Sequence, residues 1–570
     1  MHLLDWTILI VTLLSIIGYG IWKTRKVDNV KSYLLGDRDL PWWTIGLSVM
    51  ATQASAITFL STPGQAYEEG MGFAQFYFGM PVAMVFLCIF VLPIYYKLNV
   101  YTAYEYLEGR FDLKTRTLTA LLFLVQRGLA AGITIYAPAI ILSSILGWSL
   151  NWTILCIGLV VIFYTVSGGT KAVSVTQKQQ MIIMLSGMII AAIIIVNQLP
   201  DQISFNEALV VAGSLDKLNV IDFSFDLNNK YTFWTGMLGG VFLFLSYFGT
   251  DQSQVQRYLS GRSLSESRLG LLFNGLVKVP MQFLILFVGM LVFLFFLFVQ
   301  PPLHFNAANV DRVMQSEYRT EYTELQSQHQ VLFQSRETAV YAMLEAREQG
   351  NTRAFDQQKA TVLQQEEAIA GLREQANTLI TQAYPKAETE DTDYVFITFV
   401  MNFLPIGLVG LLLAVIFSAA MSSTSSELNA LATTTVIDLY RRSINPDRSD
   451  KHYLLASRAM TIGWGVIALA FAMYASLFDN LIEAVNIIGS IFYGTILGIF
   501  LVAFFLKNVR GSEVFFTAIF VEIVVIGIFL ADRWDYINIA YLWLNLIGCV
   551  LVMLISWIAS EIRSPLSEEA

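Results

Sequence analysis

The sequence predicts an all-α membrane protein, and three observations carry that prediction. Of 570 residues, 55% are hydrophobic and 14% charged, against about 25% charged in an average soluble domain. Thirteen apolar runs are long enough to cross a bilayer, whose core of about 30 Å takes about 20 helical residues. Lysine and arginine crowd into alternate connections between those runs. A chain this poor in polar residues cannot cover a soluble globule, which excludes a cytosolic enzyme and, equally, a disordered chain. Cys88, Cys156 and Cys549 all lie in apolar runs, so neither a disulfide framework nor a paired-cysteine metal site is available. His2, His304, His329 and His452 all fall outside the runs, which excludes a histidine-ligated metal inside the membrane.

The runs lie at roughly 4–22, 41–67, 72–96, 117–147, 151–168, 179–198, 231–255, 270–300, 393–438, 453–475, 481–506, 512–531 and 536–560. The first has no basic residue ahead of it and no small-residue cleavage site, so it is a span rather than a signal peptide. The ninth exceeds one crossing and is expected to continue into the cytoplasm as a helix. With the N-terminus outside, the cytoplasmic connections hold 21 Lys and Arg, including Lys23, Arg25, Lys26, Arg110, Lys114, Arg116, Arg441 and Arg442. The short outer loops hold three, Lys217, Lys230 and Arg533. This asymmetry predicts an outside N-terminus and a cytoplasmic C-terminus in an inner or plasma membrane. The expected organisation is spans one to eight in 1–300, an outer insertion at 301–392, spans nine to thirteen in 393–560 and a cytoplasmic tail at 561–570.

The insertion carries 8 basic and 14 acidic residues, a net of −6 within a chain of −9. From 309 to 384 it is rich in Glu, Gln, Ala, Leu and Arg, with apolar residues at helical spacing: Phe355, Val362, Ile369, Leu372, Ala376 and Leu379. That pattern predicts an external helical hairpin with a coiled-coil seam, turning at Gly350-Asn351. It is either a self-packed external element or an arm for a partner or second protomer.

Four places depart from ordinary apolar helix. The second run carries small and hydroxyl residues from Ser48 to Thr58, followed by Pro63-Gly64. A break there frees backbone carbonyls, tolerated in a membrane only where they are buried in protein or line a cavity; close packing through small residues is the alternative. The ninth run holds six hydroxyls in the nine residues from Ser418 to Ser426. Oxygen ligands without an added carboxylate suit a weakly held monovalent cation, and back-bonding to the helix's own carbonyls is the alternative. In the seventh run, Gly249-Thr250-Asp251-Gln252-Ser253-Gln254 points to a second broken helix. Runs two to six and seven to eleven then form two five-helix halves, each with a break in its first helix, the arrangement that marks a secondary-transporter site. The fourth place is a pair of cations, Arg127 and Lys278, each about ten residues inside its run and so about 15 Å deep. An ionised group there costs about 2.5–3.5 kcal/mol and demands a partner, either a structural carboxylate or an anionic substrate, which guanidinium grips bidentately. Glu522, mid-way along the twelfth run, is taken as structural.

At these residues the chain resembles the sodium/solute symporter family, from residue 4 to about 510. The matching stretches are Ser55-Ala56-Ile57-Thr58, Tyr104-Glu105-Tyr106-Leu107, Tyr136-Ala137-Pro138-Ala139, Gly168-Gly169-Thr170-Lys171-Ala172-Val173, Gln252 through Gln256-Arg257-Tyr258, and Met421-Ser422-Ser423 with Asn429 and Asp438-Leu439-Tyr440. The style is nearest the iodide and multivitamin branch, and Arg127 resembles the carboxylate-binding arginine of bacterial sialic acid symporters. The resemblance implies a five-plus-five inverted-repeat fold with alternating access. It implies a sodium site from the carbonyls of Ala51, Ala54 and Ala419 and the hydroxyls of Ser422 and Ser423. Gln53, Ser55 and Thr58 would face substrate, and Tyr247 would be an inner gate. Three departures qualify it. Thr176-Gln177 stands where the family often has Thr-Asp; the missing carboxylate at the candidate second cation site of Gln177, Ser425 and Ser426 argues for one coupled sodium. Phe244 and Val485 replace amide residues of the sugar branch, whereas Lys278 matches a sugar-branch lysine. The hairpin lies outside the family pattern.

The expectation is therefore a sodium-coupled symporter of a small organic solute. A carboxylate bound by Arg127 is favoured over a sugar, with Phe244, Tyr247 and Lys278 completing the site. Sodium, the solute and the bilayer are its partners, together with any partner of the hairpin; no nucleic acid and no enzymatic activity are expected. A membrane solute sensor is the rival, weakened because the nine residues after Glu561 leave no room for a kinase.

Overall fold

The computed structural model describes all residues except 24–29, 36–37, 386, 388, 475–480 and 569–570. Arg25 and Lys26 of the cytoplasmic basic group lie outside the described residues. Among the described residues the architecture is helical, with one isolated bridge, Leu40 to Gly261, and no strand. Each predicted run is helical. Ten helical stretches are long and apolar enough on their own to cross a membrane, and two shorter apolar helices, Leu150–Val166 and Thr235–Gly249, add to them.

The first helix, α1, spans Leu3–Lys23. The second run is divided into α2 (Trp42–Gln53) and α3 (Ala56–Glu69), and the chain then continues helically, with a 3-10 stretch at Gly70–Tyr77, to Leu98. The fourth run is α4 (Leu113–Leu146); the fifth and sixth join as α5 (Leu150–Asn197). Gly169 makes the bend within α5, with φ of 56° and ψ of −161°. A Cβ there would stand 2.5 Å from Tyr33 O, so glycine is required both for the backbone angle and for the space. The seventh run is likewise broken, into α6 (Gly240–Gly249) and α7 (Gln252–Leu259), before α8 (Leu264–Phe298).

The insertion forms two packed arms, α9 (Arg319–Glu348) and α10 (Thr352–Ala383), each about 45–48 Å long at 1.5 Å per residue. Gly350 turns the chain at φ of 67°, and Asn351 caps α10 by accepting from Ala354 N at 3.1 Å. Val362, Ile369, Leu372 and Ala376 are buried along the seam, and Phe355 and Leu379 are half-buried. The hairpin is tied at its base. Arg336 bridges Glu366 (2.6 Å) and the carbonyl of Phe296 at the end of α8 (2.7 Å). Arg373 pairs with Asp391 (2.6 Å) and Glu68 of α3 (3.6 Å).

The ninth run differs from expectation at its start. It is two helices, α11 (Thr392–Phe403) and α12 (Leu408–Thr434), separated at Pro405-Ile406-Gly407, where Gly407 takes φ of 93°. Its far end does continue as helix, to Ile444. The last helices are α13 (Asp450–Ala472), α14 (Leu481–Phe505), α15 (Gly511–Arg533) and α16 (Trp543–Glu568). Arg116 locks the Asp438 motif residue at 2.7 Å, and Thr102 donates to the same carboxylate, also at 2.7 Å. One large apolar core runs through most of the spans, and the polar site lies within it.

Candidate functional site

The site begins where α2 stops. Ala54 (ψ 79°) and Ser55 (ψ 175°) leave helical geometry. Ser55 N bonds back to Gln53 O at 3.0 Å, so it cannot serve Ala51 O four residues back. Terminal carbonyls of a helix must find other donors. Here α12 supplies them: Ser422 Oγ donates to Ala51 O at 2.9 Å and Ser423 Oγ to Thr52 O at 3.0 Å. Four oxygens from two helices thus converge in a buried place without a carboxylate, a set suited to a monovalent hard cation.

The second break, at Thr250-Asp251, follows the same logic. Thr250 N closes α6 on Ser246 O (2.8 Å), and Asp251 caps α7 through Ser253 N (2.9 Å) and Ser253 Oγ (2.7 Å). The other oxygen of Asp251 takes Arg127 Nη2 of α4 and the Tyr493 hydroxyl of α14, the latter at 2.8 Å. Arg127 Nη2 also meets Tyr493 Oη, and Nη1 reaches Glu427 of α12 at 3.1 Å. The Tyr247 ring lies 5.4 Å from the guanidinium carbon.

Between these two breaks lies a cavity of about 90 Å³. Gln53, Ser55, Thr58, Arg127, Phe244 and Tyr247 all line it, as does Val485. Thr52 and Ser423 also line it, so the oxygen cluster and the cavity share residues.

The profile of the sodium:solute symporter family matches residues 33–316 and 369–520. The chain belongs to the sodium:solute symporter family. The unmatched stretch, 317–368, takes in α9 and the first half of α10, whereas the profile matches 301–316 and 369–392 of the insertion. The sodium-coupled monocarboxylate transporter 2 of Mus musculus is 27% identical over 486 residues, 85% of this chain and 65% of that protein. The sodium/iodide cotransporter of Homo sapiens is 34% identical over 275 residues, 47% of this chain and 42% of that protein. The chain therefore spans less than two thirds of the length of these relatives. A solved structure of a Na+-coupled sialic acid symporter, substrate-bound and outward-open, superposes with a TM-score of 0.75 at 21% identity, covering 98% of both chains. It shares the fold predicted from the sequence.

In this family member the predicted site residues divide into three groups. Ala51, Ser422 and Ser423 are brought together by hydrogen bonds. Ala419 is buried one turn before the two serines on the same helix, and Ala54 is the residue of the break itself. Gln177 and Ser426 meet at 2.8 Å, and Gln177 also reaches Thr52 (3.0 Å), Ser422 O (3.2 Å) and Ser48 (2.5 Å). Ser425 instead bonds its own helix, at Ser422 O (3.0 Å). Lys278 is not among the residues lining the cavity. It lies on α8 behind Tyr77, with Nζ 5.7 Å from that ring's centre and without a hydrogen bond. Four participants were not singled out beforehand: Thr52, Asp251, Glu427 and Tyr493. Asp251 stands inside the polar run of the seventh span, Glu427 directly follows the hydroxyl run of the ninth, and the depth of Arg127 demands a partner; their pairing leaves no local signal in the sequence.

Proposed function

We propose that the chain is a sodium-coupled symporter that imports a small organic carboxylate through the cavity between the two broken helices. The observation that carries this reading is the crossing of Ser422 and Ser423 onto the freed carbonyls of Ala51 and Thr52. Sodium entering there replaces hydroxyl-to-carbonyl bonds with oxygen ligation by Ala51, Ala54, Ala419, Ser422 and Ser423. That ligation clamps α12 to the break between α2 and α3. Because Thr52 and Ser423 also border the cavity, the ion sets the wall against which the solute rests. Coupling then needs only that ion and solute favour the same conformer. The solute's carboxylate is assigned to Arg127, with Gln53, Ser55, Thr58, Phe244 and Tyr247 around it. The named substrates of the monocarboxylate and sialic acid relatives support an acidic solute. A single sodium is assigned, because Gln177 contributes a neutral amide whose donors already engage Thr52 and Ser426. The protein is placed in an inner or plasma membrane with its N-terminus outside, the hairpin outside as a self-packed element open to a partner, and no enzymatic activity.

Sodium-gradient-driven uptake in proteoliposomes tests the reading. Ser423→Ala is expected to weaken apparent sodium affinity at least tenfold, about 1.4 kcal/mol. Unchanged sodium dependence in that variant removes the site assignment, and absence of sodium-driven uptake of any organic acid removes the function.

A further inference from the structure

The donors and acceptors left unused on the cavity wall describe the solute more closely than its carboxylate alone. Arg127 spends Nη2 on Asp251 and Tyr493 and Nη1 on Glu427, but its buried Nε makes no hydrogen bond. Glu427 is the reverse case. Its Oε1 takes Arg127 Nη1 and its buried Oε2 has no partner. Thr134, on the same wall, spends its one proton on Ala130 O at 3.1 Å. Gln53 Oε1 is also buried without a partner. Arg127, Glu427, Thr134 and Gln53 all line the cavity. Buried polar groups in folded proteins are almost always hydrogen-bonded, so one free donor and two free acceptors on one wall define a complementary ligand.

Charge narrows that ligand. Asp251 is fully engaged, by Ser253 on one oxygen and by Arg127 and Tyr493 on the other. Arg127 contributes one positive charge and Asp251 and an ionised Glu427 two negative ones, and the sodium assigned above to the Thr52 and Ser423 side brings the loaded site to neutrality. A simple carboxylate leaves one uncompensated negative charge in this buried site, where charges repel most strongly. A solute that carries its own cation adds none. An ammonium group has three donors and no acceptor, which fits two free carbonyl-type oxygens. The rings of Tyr77, Phe244 and Tyr247 border the same space and present faces that attract a cation.

We propose that the substrate is a small amino carboxylate, a zwitterion whose carboxylate takes Arg127 Nε–H and whose ammonium is read by Glu427 Oε2 and Gln53 Oε1. Glu427 is then the residue that sets specificity, and Arg127 orients both ends. This assignment rests on the symporter reading above and deepens it.

The test uses the full-length protein in proteoliposomes with an imposed sodium gradient. Solutes are compared in matched sets that share a carbon skeleton: alanine, lactate and propionate, then the same three classes for skeletons of four to six carbons. Within the best-transported skeleton, the amino member is expected to have at least a tenfold lower half-saturating concentration than the hydroxy or unsubstituted member. Glu427→Gln is expected to shrink that preference to about threefold or less, and Glu427→Asp to retain more of it. If Glu427→Gln does not fold, the wild-type comparison and Glu427→Asp decide alone. Hydroxy or unsubstituted acids transported as well as their amino partners overturn the zwitterion while leaving sodium symport standing. No sodium-driven uptake of any member overturns the symporter reading and this assignment with it.

Discussion

Arg127 shows how one residue can tie fold to function. The residue is 3% exposed, and its guanidinium sits between Asp251, Glu427 and Tyr493. Breaking a buried ion pair by removing one partner costs about 3–5 kcal/mol, because the other charge stays buried and unpaired. Arg127→Gln is therefore expected to lower the thermal unfolding temperature of the purified protein as well as to weaken solute affinity. Adding Asp251→Asn should recover part of the lost stability but not the affinity. Recovery of neither would mean that Asp251 is not the charge left stranded. The same residue marks the limit of sequence reading. Its depth in an apolar run made a partner necessary, since an ionised group there costs about 2.5–3.5 kcal/mol. The partners lie 124 and 300 residues away, so no local pattern could name them. Ser422 and Ser423 were legible for the opposite reason: six hydroxyls in nine apolar-flanked residues form a local signal. Gln177 carries a second residue-scale prediction. Gln177→Asp places a carboxylate beside Ser426 and Thr52, and uptake is expected to acquire a steeper dependence on sodium concentration. A curve of unchanged steepness would show that charge at this position does not control stoichiometry.

At the scale of elements, the breaks were readable and one division was not. Hydroxyl and glycine runs announced the gaps between α2 and α3 and between α6 and α7, because neither run has the side chains of a continuous apolar helix. The gap between α11 and α12 was hidden. Its Pro405-Ile406-Gly407 turn is apolar and sits inside one long hydrophobic stretch, so hydropathy alone joined the two helices. The close approach that fixes α11 against α3 also leaves no hydropathy signal: a Cβ on Gly64 would stand 2.0 Å from Thr392 O. The hairpin makes an element-scale prediction about pH. Burial in the hairpin, with Arg336 and Arg373 nearby, pushes His329 down to about 4, against an ordinary value of about 6.5. Between those values an unfolded arm takes up a proton that the folded arm refuses, so hairpin stability falls as pH drops from about 6.5 toward 4. Amide exchange across 319–383, corrected for its intrinsic pH dependence, is expected to lose about twentyfold in protection between pH 7 and pH 5. His329→Leu should flatten that change; an unaltered slope would assign it to other groups.

For the whole molecule, charge decides which way the helices face. The net charge of −9 suggests an acidic protein, but −6 of it belongs to residues 301–392 and −3 to everything else. Within the remainder, 21 basic residues fall on one set of connections and three on the other short loops. Short basic loops resist translocation whereas acidic residues contribute little, which is why the proposed orientation puts the 21 in the cytoplasm and the hairpin outside. Under that proposal the two five-helix halves cross the membrane in opposite senses, and the cavity between their broken helices opens to each side in turn. Single cysteines introduced into a background lacking Cys88, Cys156 and Cys549 test this arrangement. Asn351→Cys at the hairpin turn is expected to react with a membrane-impermeant maleimide on intact cells. Arg448→Cys and Asn508→Cys, in the connections after α12 and α14, should react only once the membrane is permeabilised. The reverse pattern would place the hairpin in the cytoplasm and invert the direction in which a sodium gradient drives the solute.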